Sequence, residues 1–300
     1  MKQSVTQWFL GLAFVAFPVG CLVLAFYLIA HLPEPMEMAE EEDPAIPKPE
    51  TVSQLPDFRS ISDIPARKRA FFEMLLPMVE WRNSQLKQLR AEIEALRDAR
   101  KNTGKLTSEQ RARLEKLRIH FRVSEDNYPD TGQALEALRR RADIIPSDMV
   151  LAQAAAESGW GTSRFAVEAN NLFGQWCYRK GCGLVPNARA EDMSHEVQKF
   201  ASVNEALATY FRNINTNRAY REVRQIRAKL RANDQPLKGL QMVEGLHRYS
   251  SRGQAYIEEL KELIRYNDLE NIQARLAEVE AQEEAEAEAE AQEASQSESQ

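Results

Sequence analysis

The sequence predicts a mainly α fold with one small β element (α+β), set behind a single apolar segment at the N-terminus. Three observations predict it. From Ile64 to Tyr266 apolar residues recur mostly at three- and four-residue steps, the period of helices that bury one face. Strand-like segments are short and lie between Gly183 and Phe200, where Leu184-Val185 and Val197–Phe200 flank a polar turn. No charged residue stands between Trp8 and Ala30, a run long enough to cross a bilayer as a helix.

The apolar segment sets the topology. Gly11, Pro18 and Gly20 would weaken a soluble helix but are tolerated in membrane spans. Lys2 and the amino terminus precede the run, while Glu34, Glu37 and Glu40–Asp43 follow it, so the start stays in the cytoplasm and the rest lies outside. Residues 1–31 therefore read as a transmembrane signal-anchor. A cleaved signal peptide is the alternative, but the run exceeds a usual apolar core and no A-x-A site ends it. Pro18-Val19-Gly20-Cys21 is a poor lipoprotein site, because proline is unsuited to its first position and the run continues past Cys21.

A net charge of -6 excludes a nucleic-acid binder, whose binding face needs clustered positive charge. Much of the acid lies at Glu40–Asp43 and from Glu278 onward, leaving the middle nearer neutral. Residues 32–60 hold Pro33, Pro35, Pro44, Pro47, Pro49 and Pro56 among acids and form an extended spacer.

Residues 61–124 predict a helical hairpin. Phe72, Leu75, Leu76 and Val79 form one apolar stripe, and Leu86, Leu89, Ile93 and Leu96 a second, with Pro77 expected to kink or break the first helix. Asn102-Thr103-Gly104 ends the second helix, and Thr107 with Gln110 opens a third through a capping box. The mixed charge of Gln85–Lys101 leaves a coiled-coil partner site as the alternative to packing on the next domain.

Residues 125–270 carry the chemistry. Thr131 is expected to cap a helix bearing Leu135 and Leu138, and Ser147 to cap the next, Asp148 to Glu157, which is apolar almost all round and ends at Ser158-Gly159. Ser202 and Glu205 make another capping box, and further helices fall at Tyr220–Arg231, Leu237–Leu246 and Gln254–Tyr266. Residues 271–300, rich in Glu, Ala, Gln and Ser, have no apolar face and read as an acidic disordered tail.

Cys21 falls within the apolar run, leaving Cys177 and Cys182 as the pair in the exported part. In an oxidising compartment they can close a small loop. Two free thiols remain open as a reading. So does a zinc site with His195, although zinc needs more ligands than these.

Glu157 is the residue that chemistry singles out. It stands at the C-terminal end of an apolar helix, where the helix dipole is negative, and next to Trp160. Both the dipole and burial oppose ionisation, and a carboxylic acid held protonated near neutral pH is what a leaving glycosidic oxygen needs. The plain alternative is a glutamate that hydrogen-bonds neighbouring backbone amides.

The surroundings favour the acid. Ala152-Gln153-Ala154-Ala155-Ala156-Glu157-Ser158-Gly159-Trp160-Gly161-Thr162-Ser163, followed by Asn170-Asn171-Leu172-Phe173-Gly174, resembles the glucosaminidase domain of bacterial cell-wall hydrolases, a family that includes the flagellar rod-cap muramidase domain and many autolysins. The resemblance covers roughly residues 125–268. It implies a lysozyme-like fold, with a helical lobe, a small β-lobe and a substrate groove between them. It further implies that Glu157 is the general acid and that Asn170, Asn171, Phe173 and Gly174 form the groove floor. Tyr249 takes the place of a groove tyrosine. The family continues that tyrosine with alanine, threonine and aspartate, whereas this chain has Ser250-Ser251-Arg252. Tyr256 matches a packing tyrosine.

The family draws its second carboxylate from the β-lobe, where this chain offers Glu191, Asp192 and Glu196. Glu196, beside the Val197–Phe200 strand, is favoured over Glu191. The substrate's own acetamide is the alternative nucleophile. Among the aromatics, Trp160 and Phe173 are expected to pack, while Trp176 or Tyr178 is better placed for a sugar face. Arg179, Lys180 and Arg189 suit the carboxylates of muramyl and peptide groups, or are ordinary surface.

The implied activity is peptidoglycan hydrolysis at the β-1,4 bond of N-acetylglucosamine, as an endo-β-N-acetylglucosaminidase without cofactor or metal. It would work on glycan strands from a single-pass inner-membrane anchor, with the soluble domain in the periplasm. Two alternatives stand beside it. A lytic transglycosylase follows its glutamate with Gly-Leu-Met-Gln, where this chain has Asn171-Leu172-Phe173-Gly174-Gln175-Trp176. A glycan-binding scaffold would keep the fold and depend on an unidentified envelope protein for cutting.

Overall fold

A computed structural model describes residues 46–187, 194–279, 281, 282 and 285. The Trp8–Ala30 run, Glu191, Asp192, Arg189 and most of the acidic tail lie outside the described residues. Among the described residues no helix is long and apolar enough to cross a membrane.

The first helix, α1 (Ile64–Thr103), is 40 residues long and continues unbroken past Pro77. This corrects the expected break. Interior proline costs about 3 kcal/mol. Here Phe71, Phe72, Leu75, Leu76, Met78 and Val79 around it, and Leu86, Leu89, Ile93 and Leu96 beyond, are all buried. Each such side chain contributes roughly 1.5–3 kcal/mol, so one continuous apolar face outweighs one missing hydrogen bond. Asp63 caps the start by accepting from the Ala66 amide, and Gly104 closes the end at φ 75°. The chain turns back into α2 (Ser108–His120), which opens with the Thr107–Gln110 capping box.

Next come α3 (Thr131–Arg141) and α4 (Ser147–Ser158). The cap of α3 is Asp130 rather than Thr131, because its carboxylate accepts from both Gly132 and Gln133 amides. Pro146 stands at the cap of α4 in place of Ser147, and no side chain bonds there. Helix α1 packs against α3 and α4. Its Asn83 exchanges two hydrogen bonds with the Ile145 backbone, 2.8 and 3.0 Å, just before α4 begins.

Helix α4 is the centre of the fold. Asp148 to Ala155 and Ser158 are buried, and the three buried alanines among them, Ala152, Ala154 and Ala155, let neighbouring helices come close. After it follow α5 (Arg164–Ala169), the strands β1 (Trp176–Cys177), β2 (Gly183–Leu184) and β3 (Glu196–Gln198), then α6 (Val203–Thr216). The three strands form one antiparallel sheet in the order β1-β3-β2, with Trp176 opposite Val197 and Leu184 opposite the same residue. Two strands were expected; β1 is the addition, too short for any alternation to reveal.

The remaining helices are α7 (Arg221–Ala232), the single turn α8 (Gly239–Met242) and α9 (Gln254–Tyr266), joined by 3-10 turns at Arg218–Tyr220 and Val243–Leu246. Helix α9 lies against α4, as does α8. Gly239 is required at the α8 contact, where its amide donates to Asp148 at 2.7 Å and a Cβ would stand 2.7 Å from that carboxylate. Residues 272–279 are helical, so regular structure continues into the segment expected to be disordered.

Candidate active site

The acid sits where the chain reverses. Gly159, Trp160 and Gly161 follow α4 with φ of 57, 60 and 74°, three consecutive left-handed residues. Such a conformation costs an L-residue about 1–2 kcal/mol, and Trp160 bears it because its surroundings hold it. Its amide donates to the Ala155 carbonyl, and its ring meets Phe71 and Phe72 of α1 edge-on at 6.0 and 5.3 Å. Ser158 donates to the Ala154 carbonyl and accepts from the Gly161 amide. At Gly161 a Cβ would lie 2.5 Å from the Phe58 ring. The Glu-Ser-Gly-Trp-Gly run is thus a tight reversal that leaves Glu157 on the last turn of α4.

Its carboxyl meets two elements. A Cβ on Gly174 would stand 3.0 Å from Glu157 Oε2, so the glycine makes room for the acid. From α9, Tyr256 hydrogen-bonds the carboxyl. The tyrosine hydroxyl also accepts from Gln153 Nε2 at 3.2 Å, and Gln153 Oε1 accepts from Tyr210 at 2.6 Å. A buried chain therefore runs Tyr210–Gln153–Tyr256–Glu157, with Gln153 one helical turn below the acid.

Burial pushes the Glu157 carboxyl above the ordinary carboxylate range. The Tyr256 hydrogen bond opposes this, the negative charge of Glu259 adds to it, and Arg252 opposes it. Burial also raises the hydroxyls of Tyr249 and Tyr256 above their usual range, and Glu157 adds to both. Tyr220 is pushed up to about 12, first by burial and then by Glu157. The expected desolvation is present, but the groups against the carboxyl are Gly174 and Tyr256, while the Trp160 ring faces α1.

The other sequence-identified residues separate into scaffold and surface. Asn171 is 1% exposed and uses its whole amide. Its oxygen accepts from the Phe173 and Gln175 amides, and its nitrogen donates to the Gln175 and Gln198 carbonyls. Two acceptor sites and two donors are all it has, so its side chain shapes the turn and offers nothing to a ligand. Asn170, at φ 52°, donates to the Ser53 and Phe200 carbonyls. Phe173 is buried and stacked on Tyr210 at 4.2 Å, and its carbonyl accepts from Tyr249 at 2.7 Å. Tyr249 thereby locks the turn bearing Gly174 under the acid, and its ring stacks on Tyr256 at 5.7 Å. Asn170, Asn171 and Phe173, expected on the groove floor, build the turn that carries Gly174 beneath the acid.

Glu196, the expected second carboxylate, is tied into the β-lobe in a similar way. It is buried on β3, and its two oxygens accept from the Gly181 and Gly183 amides at 2.9 and 2.8 Å. Those amides frame the loop closed by a disulfide between Cys177 and Cys182, whose Cα atoms are 6.3 Å apart. The three side chains converge, but the disulfide takes both thiolates a zinc ion would require. On the outer side of this lobe Trp176 is 54% exposed and stacked on His195 at 4.1 Å, and Tyr178 is 73% exposed.

Sequence reasoning missed Tyr256 as a partner of the acid, along with Gln153 and Glu259. The signal for Gln153 was present, since a residue four before Glu157 shares its helix face. Tyr256 and Glu259 come from a helix about a hundred residues away, and only tertiary packing reveals them.

Gly174 offers a direct test. Gly174→Ala should lose about 1–2 kcal/mol to backbone strain and also displace the Glu157 carboxyl. Gly104→Ala, at φ 75° with nothing within 4 Å, carries the strain alone. Denaturant melts should show a loss in both, while the carboxyl 13C shift of Glu157 should move only in Gly174→Ala. An unmoved shift there would contradict the contact.

Residues 132–269 match the family model for glucosaminidases, described as mannosyl-glycoprotein endo-beta-N-acetylglucosaminidase. Over 209 residues the chain is 34% identical to Protein bax of Escherichia coli (strain K12), covering 68% of this chain and 71% of that one. No solved structure matches. The family match takes in α4 with its acid, the turn at Gly174, the three strands and both tyrosines, Tyr249 and Tyr256, that stand at the site. The chain belongs to the family of glucosaminidase-domain cell-wall hydrolases.

Proposed function

We propose that the protein is an endo-β-N-acetylglucosaminidase that cuts the β-1,4 bond of peptidoglycan at N-acetylglucosamine, with Glu157 as general acid. The observation that carries this is the Glu157 carboxyl, raised by burial and held between Gly174 and Tyr256. A carboxyl held above its ordinary range keeps its proton to higher pH and can donate it to the departing glycosidic oxygen, and one that is hydrogen-bonded by a tyrosine is stabilised once that proton has gone. Trp176, open to solvent and backed by His195, supplies a flat face for a sugar ring.

The second group is not Glu196 in this reading. Its oxygens are committed to the Gly181 and Gly183 amides, so attack on a sugar carbon would break the loop that presents Trp176 and Tyr178. The substrate acetamide then serves as nucleophile, as in other substrate-assisted glycosidases. A thiazoline analogue of the cyclised acetamide should inhibit.

The test is digestion of purified cell wall followed by mass analysis of the muropeptides. New reducing ends on N-acetylglucosamine support the proposal, and anhydro-sugar ends would identify a transglycosylase. Glu157→Gln should lower turnover by at least about 10²-fold with folding intact. Glu196→Gln should instead lower thermal stability and loosen the 177–182 loop. Near wild-type product release by Glu157→Gln would overturn the assignment and favour a glycan-binding scaffold.

We place the enzyme on the outer face of the inner membrane, held by the uncharged Trp8–Ala30 run and spaced from it by the proline-rich residues that precede Val52. At Val52 the chain docks on the domain through Asn204 and then buries Leu55 and Phe58, so that the spacer is shorter than the expected 32–60. Protease added to spheroplasts should remove the enzyme domain. A mature N-terminus beyond Ala30 would show a cleaved leader instead.

A further inference from the structure

Residues 50–60 lie ahead of α1 and outside the family match at 132–269, yet they run across both turns that support the acid. The segment begins at the start of α6, where Asn204 bonds it twice. The Asn204 Oδ1 accepts from the Val52 amide at 2.9 Å, and its Nδ2 donates to the Glu50 carbonyl at 3.1 Å. The Val203 amide donates to the Val52 carbonyl at 2.9 Å. One residue on, the Ser53 carbonyl accepts from Asn170 at 2.9 Å, the left-handed residue that opens the turn to Gly174. Leu55 and Phe58 are then buried. The Phe58 ring lies against Gly161, where a Cβ would stand 2.5 Å from it, and meets Phe71 edge-on at 5.6 Å. Beside it the Arg59 guanidinium donates through Nε and Nη2 to the Thr162 carbonyl at 2.8 and 2.5 Å. Asp57 shapes this end, its carboxylate accepting from the Arg59 amide and its carbonyl from the Ser60 hydroxyl.

Anchoring alone does not require this distribution. Burial of Leu55 and Phe58 is non-directional and would hold the segment to any apolar site. The polar bonds instead reach Asn170 and Thr162, one in each motif that places Glu157. The turn from Asn170 carries Gly174 beneath the carboxyl, and the reversal from Ser158 to Thr162 ends the helix that bears it. Gly161, at φ 74°, is held by its hydrogen bond to the Ser158 hydroxyl and by the Phe58 ring. We propose that residues 52–59 form a strap that positions Glu157, Phe58 and Arg59 holding the reversal and Ser53 holding the turn to Gly174. Phe58 and Arg59 are positioning residues that act through the backbone of 158–162. The strap also joins the proline-rich spacer directly to the support of the acid, so the working enzyme begins near Val52, some eighty residues before the family match.

The strap's effect on turnover rests on Glu157 as the acid, whereas its effect on the carboxyl does not. The experiment uses the full chain, as wild type, Phe58→Ala, Phe58→Leu, Arg59→Gln and Arg59→Lys, with Leu114→Ala as a buried substitution on α2. Two quantities are read at a temperature where all are folded: the 13C shift of the Glu157 carboxyl at fixed pH, and kcat and KM on purified cell wall. Phe58→Ala and Arg59→Gln should move the carboxyl shift and lower kcat about ten- to a hundredfold, the scale of a small misplacement of a catalytic group, with KM held. Phe58→Leu, which keeps an apolar bulk against Gly161, should recover most of the loss, and Arg59→Lys, which keeps one donor, part of it. Leu114→Ala should lose thermal stability while keeping both the shift and kcat. Should Phe58→Ala fail to fold, the surface change Arg59→Gln carries the test. Wild-type kcat with an unmoved carboxyl shift in the folded strap variants would overturn the proposal, as would a raised KM at unchanged kcat, the mark of a strap that meets substrate. Shifts that move as stated in a protein whose wild type cleaves no glycan would uphold the strap and overturn the hydrolase reading instead.

Discussion

The structure depends on keeping one carboxyl out of water at the negative end of a helix. Glu157 would ionise easily on a solvated surface. On the last turn of α4 it is pressed against Gly174 on one side and Tyr256 on the other, and burial outweighs the hydrogen bond that favours its charged form. Everything needed to hold it there costs free energy: a left-handed tryptophan, a buried glutamine and a cluster of tyrosines whose hydroxyls are all engaged or raised. The long helix α1 stabilises the arrangement from behind. Its Phe71 and Phe72 receive the Trp160 ring, and its Asn83 fixes the approach to α4.

The division of labour among the motif residues follows from hydrogen-bond accounting. A buried amide with four partners, as at Asn171, cannot also bind a ligand, and a buried carboxylate with two backbone donors, as at Glu196, is unsuited to nucleophilic attack. These residues are scaffold for two surfaces. One is the floor beneath Glu157, carried by the turn from Asn170 to Gly174 and locked by Tyr249. The other is the rim, carried by the disulfide loop and displaying Trp176 and Tyr178.

Much of this was legible in the sequence, and the limits are physical. The helices with strong periodicity, the Thr107 and Ser202 caps and the Gly104 and Gly159 stops follow from local rules. Local rules failed where tertiary burial outweighed them. Pro77 is carried inside α1 by the apolar face on either side of it, and Asp130 displaces Thr131 as a cap by reaching two amides. At the site, the acid and its glycine were visible as a motif. The roles of Asn171 and Glu196 were not, because motif spacing cannot distinguish a side chain turned inward from one turned outward. Tyr256, Glu259 and Arg252 enter only when α9 docks against α4.

The central claim is that Glu157 carries a proton at a pH where an ordinary glutamate does not. The most direct measurement is the titration of its carboxyl carbon by 13C NMR in the wild-type protein, with the resonance assigned by its disappearance in Glu157→Gln. The account predicts a midpoint above the ordinary value near 4.5. A midpoint at or below the ordinary value in the folded protein would contradict it.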